Sequence, residues 1–411
     1  MSERMSVKLW WTIVAVLCAV VATFACGACL VPLLTLFRDQ FGITSGDAAV
    51  TTAAYFAGCI SVLFFFSRIS DVFGRKPVTV VSLTFTMVSM SVLKDIDSYT
   101  AFLVIRFFQG TAAGLISSAA LPWLADCLMK KSTLLASASS TGAPSLGFAL
   151  GAAVIGVFLD SPTDVYAILQ TMEAAVFVCI VAVLCAQDSV TKGRTKLTDA
   201  LKPKLKVATH TSIGLLPVGI IFAVCWGVSS VIQGFAAAFC EALFGSQDAA
   251  TMSSLLFGIF IVCNAFGTLI GVKRTVTRLQ AWFAVFLASS AAALLGFDFG
   301  FAIVFYVFAA TTGTLLGLVT SLALQLLLAE CSAGDRAGLI SLCCMSGYTG
   351  AAMTGLVGGW FASLEGIYVL NYAFLGVVSV LFLIAQMLLT RVGQKSQSAS
   401  VDSGDAVPVK G

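Results

Sequence analysis

Twelve apolar runs succeed one another along this chain, at residues 9–35, 48–67, 77–94, 100–125, 134–158, 164–186, 213–239, 250–272, 279–297, 300–329, 337–362 and 366–390. Each reaches or approaches the ~20 apolar residues that an α-helix needs to cross bilayer hydrocarbon. A backbone in lipid must satisfy its own hydrogen bonds, which leaves membrane-spanning helices as the structure such runs form. Composition agrees, with 59% hydrophobic and 10% charged residues against about 25% charged in soluble domains. A soluble globule is excluded, and an all-α integral membrane protein with 12 transmembrane helices is expected.

The cations orient these spans, because cytoplasmic loops carry an excess of Lys and Arg. With both termini placed in the cytoplasm, 20 of the 23 Lys and Arg residues fall inside. Arg38 and Lys94 lie outside, and Arg106 sits within a span. The linker at residues 187–212 carries Lys192, Arg194, Lys196, Lys202, Lys204 and Lys206. It separates a six-span half, 1–186, from a second, 213–391, and reads as a solvated tether or as a contact for anionic lipid headgroups. Residues 392–411, rich in Ser, Gly and Asp, are expected to be disordered. The first run is too long for a signal-peptide core and should remain as a helix.

Between the second and third runs stands Ser67-Arg68-Ile69-Ser70-Asp71-Val72-Phe73-Gly74-Arg75-Lys76-Pro77. A charge within hydrocarbon costs about 3 kcal/mol or more, so this turn lies at the membrane surface. It resembles the signature G-x-L-a-D-r-x-G-R-K between helices 2 and 3 of major facilitator superfamily (MFS) transporters. Asp71, Gly74, Arg75 and Lys76 match; Ile69 is a conservative replacement, while Ser67 and Val72 replace the first glycine and the first basic residue. An internal repeat is independent of that motif. Gly110, Gly114, Ser118 and Leu121 of the fourth run recur 203 residues later as Gly313, Gly317, Ser321 and Leu324. Ala125-Asp126-Cys127 recurs as Ala329-Glu330-Cys331, offset by 204.

The resemblance implies two pseudo-symmetric six-helix bundles in a bacterial inner membrane, with a substrate site between them near mid-membrane. Among MFS proteins the chain looks most like the twelve-span drug and metabolite exporters. The implied cytoplasmic gate is Asp71, Gly74, Arg75, Lys76 and Asp126, with Asp71 also facing the N-terminal end of helix 11 near Gly338, where the helix dipole favours an anion. Arg106-Phe107-Phe108-Gln109-Gly110 resembles the fourth-helix motif R-x-x-q-G linked to proton coupling. The family often places the acid partner of this arginine on helix 1, but the first run here holds no carboxylate. Glu173, in the sixth run, is the alternative partner and proton carrier. Arg106 alternatively binds an anionic substrate directly. Gly147 and Gly151 match part of the antiporter signature, but Ala152 replaces its proline.

The helices that line the pathway in the family carry Thr23, Tyr55, Gln109, Trp123, Trp226, Ser230, Gln233, Asn264, Thr311, Thr314, Gln325 and Tyr348 as polar candidates. Each also suits an interhelical hydrogen bond. Gly110, Gly114, Gly142, Gly147, Gly151, Gly156, Gly347, Gly350, Gly355, Gly358 and Gly359 are expected to permit close helix packing. Of the 13 cysteines, nearly all lie in apolar runs and read as small hydrophobes, including the Cys26/Cys29 pair. His210 falls in the central linker, so no histidine is available within the spans.

No Walker loop, metal-ligand cluster or nucleophile–base pair is visible. The function expected is therefore secondary transport of a small organic solute, with protons as coupling ion, no cofactor and no nucleic-acid partner, by a monomer among membrane lipids. Export is favoured; an uptake symporter or facilitator for a metabolite or anion is the nearest alternative. A non-transporting receptor on the same fold is a different class, and a membrane-embedded enzyme is remote.

Overall fold

The computed structural model describes residues 7–29, 45–129, 131–157, 162–188, 213–245, 247–331 and 335–404, and these form helices and short connections without strands. The helices of the first half are α1 (Val7–Ala28), α2 (Ser45–Phe66), α3 (Ile69–Phe73), α4 (Arg75–Leu93), α5 (Tyr99–Leu128), α6 (Thr133–Val157) and α7 (Pro162–Leu184). Those of the second are α8 (Leu215–Gly234), α9 (Ala236–Phe244), α10 (Ala249–Gly267), α11 (Val276–Asp298), α12 (Ala302–Ala329), α13 (Arg336–Glu365) and α14 (Ile367–Gly404). Nine of the described helices are long and apolar enough to cross a membrane, and Val50–Phe66 and Thr251–Gly267 are shorter apolar stretches of the same kind. The fifth span, α6, has 25 residues, with Ser137, Ser139, Ser140, Thr141 and Ser145 among them.

The two halves pack alike. In the first, α2 and α4 flank α5 while α1 lies on α6; in the second, α10 and α11 flank α12 while α8 lies on α13. The sequence repeat explains the correspondence. A Cβ on Gly110 would overlap the Tyr55 carbonyl of α2, and one on Gly313 would overlap the Phe260 carbonyl of α10. One turn on, Gly114 meets Cys59 and Val62, and Gly317 meets Asn264, in the same way. Glycines four apart thus let paired backbones touch where lipid supplies no hydrophobic drive for association. The halves meet along α2 and α5 against α13, and along α6 against α10 and α12.

Three expectations need correction. The seventh run, expected as one span over 213–239, breaks after Gly234 at Phe235 (φ −110°, ψ 10°) into α8 and α9. Phe239 of α9 then turns into a cluster with Phe297 and Phe305, at centroid distances of 4.6 and 5.4 Å; edge-on ring packing stabilises the bend. The tail, expected to be disordered, is helical through Gly404. It extends an already formed apolar helix, and propagation is far easier than nucleation. The turn after α2 contains a helix of its own, α3. The linker cations, Lys130 and His210 lie outside the described residues.

Candidate functional site

At one end of the bundle the short helix α3 turns into α4 through Gly74, whose φ of +96° suits a residue without a Cβ. The first two amides of α4, on Arg75 and Lys76, donate to the two carboxylate oxygens of Asp188, each at 3.1 Å. Asp188 thereby caps the positive end of α4 with an anion brought from the end of α7. A Cβ on Gly74 would stand 2.5 Å from Asp188 Oδ2. Lys76 Nζ reaches the Leu184 carbonyl at 3.0 Å, which holds α7 to the same turn.

Arg75 is 2% exposed. Its Nη1 donates to Ser70 Oγ at 2.6 Å and lies 3.3 Å from Asp71 Oδ1, while Nη2 lies 3.6 Å from Asp126 Oδ2. Ser70 Oγ in turn donates to the Ser118 carbonyl at 3.0 Å, tying α3 to α5. The other oxygen of Asp126 accepts from Arg336 Nη1 at 3.2 Å. Asp126 is therefore shared by a guanidinium from each half. Among the described residues Asp71 makes no hydrogen bond or ion pair with α13, where one is expected near Gly338. Asp71 sits three residues from Arg68 and four from Arg75, and both ion pairs form within its own turn. Asp126 takes over the contact with α13 through Arg336. Sequence reasoning missed Arg336 and Asp188. Arg336 is one of the 20 cytoplasmic cations, yet it opens the span facing Asp126, and Asp188 is the only acid between the sixth run and the linker cations.

Further in, hydroxyls and amides join the halves. Ser117 and Tyr348 hydroxyls lie 3.2 Å apart, Ser137 and Ser321 3.0 Å apart, and Asn264 Nδ2 donates to Ser145 Oγ at 2.9 Å. Trp226 stacks edge-on against Tyr348 at 4.9 Å, and Phe56 lies 5.9 Å from the same ring. The space among Leu121, Thr141, Pro144, Trp226 and Tyr348 is about 10 Å³, room for a single water. A wider cleft of about 390 Å³ opens at the basic end, among Lys131, Arg274 and Gln325.

The polar candidates divide accordingly. Trp226 and Tyr348 line the central space, Asn264 bridges the halves, and Gln325 donates to Ser321 at 3.4 Å. Ser230 donates to the Ala351 carbonyl of α13 at 3.0 Å. Thr23, Thr311 and Thr314 instead bond to carbonyls one turn earlier on their own helices, and Gln233 bonds to Ser229. That local satisfaction is the usual fate of a hydroxyl in an apolar helix. Trp123 is fully buried, and its Nε1 has no partner among the described residues.

Arg106 is 5% exposed. Its Nη1 donates to the Gly27 carbonyl and to Gln109 Oε1, both at 3.0 Å, and its guanidinium lies 4.7 Å from the Tyr55 ring centroid. The expected pairing with Glu173 does not form. Glu173 accepts from Lys94 Nζ at 2.5 Å and from Ser91 Oγ, with Lys94 also 5.8 Å from the Tyr166 ring. The cause is packing: α7 lies along α4 and α1 and not on α5, so its carboxylate meets the end of α4. That hydrogen bond raises the Lys94 ammonium above its usual pKa.

The described helices thus form two alike halves joined across α2, α5, α6, α10, α12 and α13. Residues 16–329 match the family model described as Major Facilitator Superfamily, and the chain belongs to that family. Over 146 residues it is 25% identical to the inner membrane transport protein YnfM of Escherichia coli (strain K12), covering 36% of this chain and 35% of that protein. Over 95 residues it is 32% identical to the multidrug resistance protein MdtL of Klebsiella pneumoniae subsp. pneumoniae, covering 23% of this chain and 24% of that one. The matched stretches thus span about a third or less of these curated relatives. The human organic anion transporter MFSD10 (TETRAN) shares the fold with a TM-score of 0.70, at 17% identity over 93% of this chain and 100% of that one.

Proposed function

We propose that this protein exports a small organic solute across a bacterial inner membrane by alternating access. Its two halves, 1–186 and 213–391, rock about the interface of α2, α5, α6, α10, α12 and α13, with the basic linker as tether. The carrying observation is Asp126, which joins Arg75 of one half to Arg336 of the other while the space behind it is closed to about 10 Å³. Placing the basic end in the cytoplasm makes Asp71, Gly74, Arg75, Lys76, Asp126 and Arg336 the inner gate, its ion pairs made in this conformer beyond the cleft among Lys131, Arg274 and Gln325, with both termini on the same side. Support for export comes from MdtL, a relative described as a multidrug resistance protein. Membrane lipids surround a functional monomer.

The reading gives Glu173 no proton to carry, because Lys94 and Ser91 hold its carboxylate against α4. Coupling therefore rests on what neutralises Arg106 during the cycle. The test is a thermal-shift screen of small organic solutes in detergent, followed by counterflow of each hit in proteoliposomes. A ligand at 100 times its Kd adds about 2.7 kcal/mol of stability. Solutes that both stabilise the protein and exchange across the vesicle support the reading. Solutes that bind and never cross would make the protein a receptor on this fold and overturn it.

A further inference from the structure

Arg106 carries the one formal charge placed deep among the described helices of the first half without an ionic partner: no carboxylate pairs with it among the described residues. The repeat places Ala309 at the equivalent position of the second half, so the charge is not balanced by symmetry either. A buried cation at membrane depth is costly unless something compensates it. The acceptors beside it, the Gly27 carbonyl and Gln109 Oε1, are both taken by Nη1. What remains is a set of donors. Arg106 Nε and, one turn on, Gln109 Nε2 are buried without a hydrogen-bond partner among the described residues. Tyr55 covers a face of the guanidinium, so its in-plane N–H groups are the part left to meet a ligand. The Nε side of an arginine presents two parallel donors that match the two oxygens of a carboxylate or sulfonate. Such a ligand accepts only and therefore satisfies donors alone.

We infer that the transported solute is an organic anion whose carboxylate or sulfonate docks on Arg106 and Gln109, with its apolar body toward Tyr55. The inference rests on the transport reading above and names the substrate class of that pathway. It also sets the cycle: the loaded carrier is locally neutral, whereas the empty one must reorient with a bare guanidinium, so exchange of anion for anion outpaces net flux.

The probes are benzoate, 2-naphthoate and benzenesulfonate, with benzyl alcohol, 2-naphthalenemethanol and benzylamine as uncharged or cationic counterparts, at constant ionic strength. At least one anion is expected to raise the melting temperature of the wild-type protein while its counterparts do not. Loss of one partner from a buried charge pair costs 2–5 kcal/mol, so Arg106→Gln is expected to bind that anion at least about thirtyfold more weakly. Should it fail to purify, Arg106→Lys keeps the charge but loses the planar fork, and an anion response weakened by about tenfold is expected. Equal protection by the alcohols, an undiminished anion response in both variants, or no response to any of the anions would overturn the inference. If benzyl alcohol or benzylamine undergoes counterflow and no anion does, transport stands and the anion assignment falls. If no probe binds or crosses and the wider solute screen is also blank, both fall.

Discussion

Arg336 of α13 donates to Asp126 of α5 at 3.2 Å, across the boundary between the two halves, while Arg75 holds the other oxygen of the same carboxylate. The arrangement makes Asp126 the shared element and Arg336 the removable one. Without Arg336, Asp126 keeps its partner within the first half and no charge is orphaned, so folding is preserved while the bond between halves is lost.

Arg336→Ala is therefore expected to weaken the closed inner gate without unfolding the protein. The side chains are 16–18% exposed, between the exposed and fully buried limits, which suggests about 1–2 kcal/mol. That corresponds to a change of roughly 5- to 30-fold in the ratio of closed to open gates. Leu121→Cys, in a background with all the native cysteines replaced, including Cys343 and Cys344 that line the same space, should then react faster with an impermeant maleimide from the cytoplasmic face. An alkylation rate equal to that with Arg336 present would show that the ion pair does not hold the gate.

Gly74 and Asp188 form a second testable pair. Gly74→Ala must place a Cβ at φ +96° and 2.5 Å from a carboxylate oxygen, a combination costing about 1–3 kcal/mol. Asp188→Ala removes the cap from α4 and should cost about 1 kcal/mol. Removing Asp188 also clears the clash, so the double variant should lose less than the sum of the two. Thermal unfolding in detergent measures the cycle, and strict additivity would mean that the two residues act independently.

The spans, the repeat and the gate loop could be read from sequence because each is written in local pattern: hydropathy, spacing, and a charged turn between apolar runs. Partners were not, because they depend on which helix lies beside which. Glu173 is close to Arg106 in kind but not in space, since α7 packs on α4. Arg336 and Asp188 looked like ordinary loop charges until the fold brought Asp126 and the amides of α4 to them. Break points were hidden as well; Gly234-Phe235 interrupts a run that, despite Ser229, Ser230 and Gln233, is apolar enough overall to read as one span.

Glu173→Gln is expected to leave solute exchange intact. The substitution removes the partner of Lys94 but touches nothing around Arg106, so its effect should be a lower melting temperature with an unchanged counterflow rate. Lys94→Met should behave alike, and the double variant should be little worse than either alone. Loss of exchange in Glu173→Gln at normal protein levels would return the carboxylate to the pathway.

The glycines separate packing that is obligatory from packing that only looks so in sequence. Gly110→Ala and Gly313→Ala both drive a methyl into a neighbouring carbonyl, on Tyr55 and Phe260. Backbone at a helix crossing cannot yield as a side-chain end can, so each should cost roughly 3 kcal/mol through overpacking. The two should cost similar amounts, because the repeat gives them the same neighbour in each half. Gly355 shares the sequence character of this group, yet the nearest atoms to its Cβ, on Ser230 and Thr52, lie 3.8 Å away. Gly355→Ala should therefore be neutral or stabilising, by up to ~1 kcal/mol from helix propensity. Melting temperatures of the three variants in one detergent decide the matter. A Gly110→Ala protein as stable as Gly355→Ala would mean that α2 and α5 are not in backbone contact.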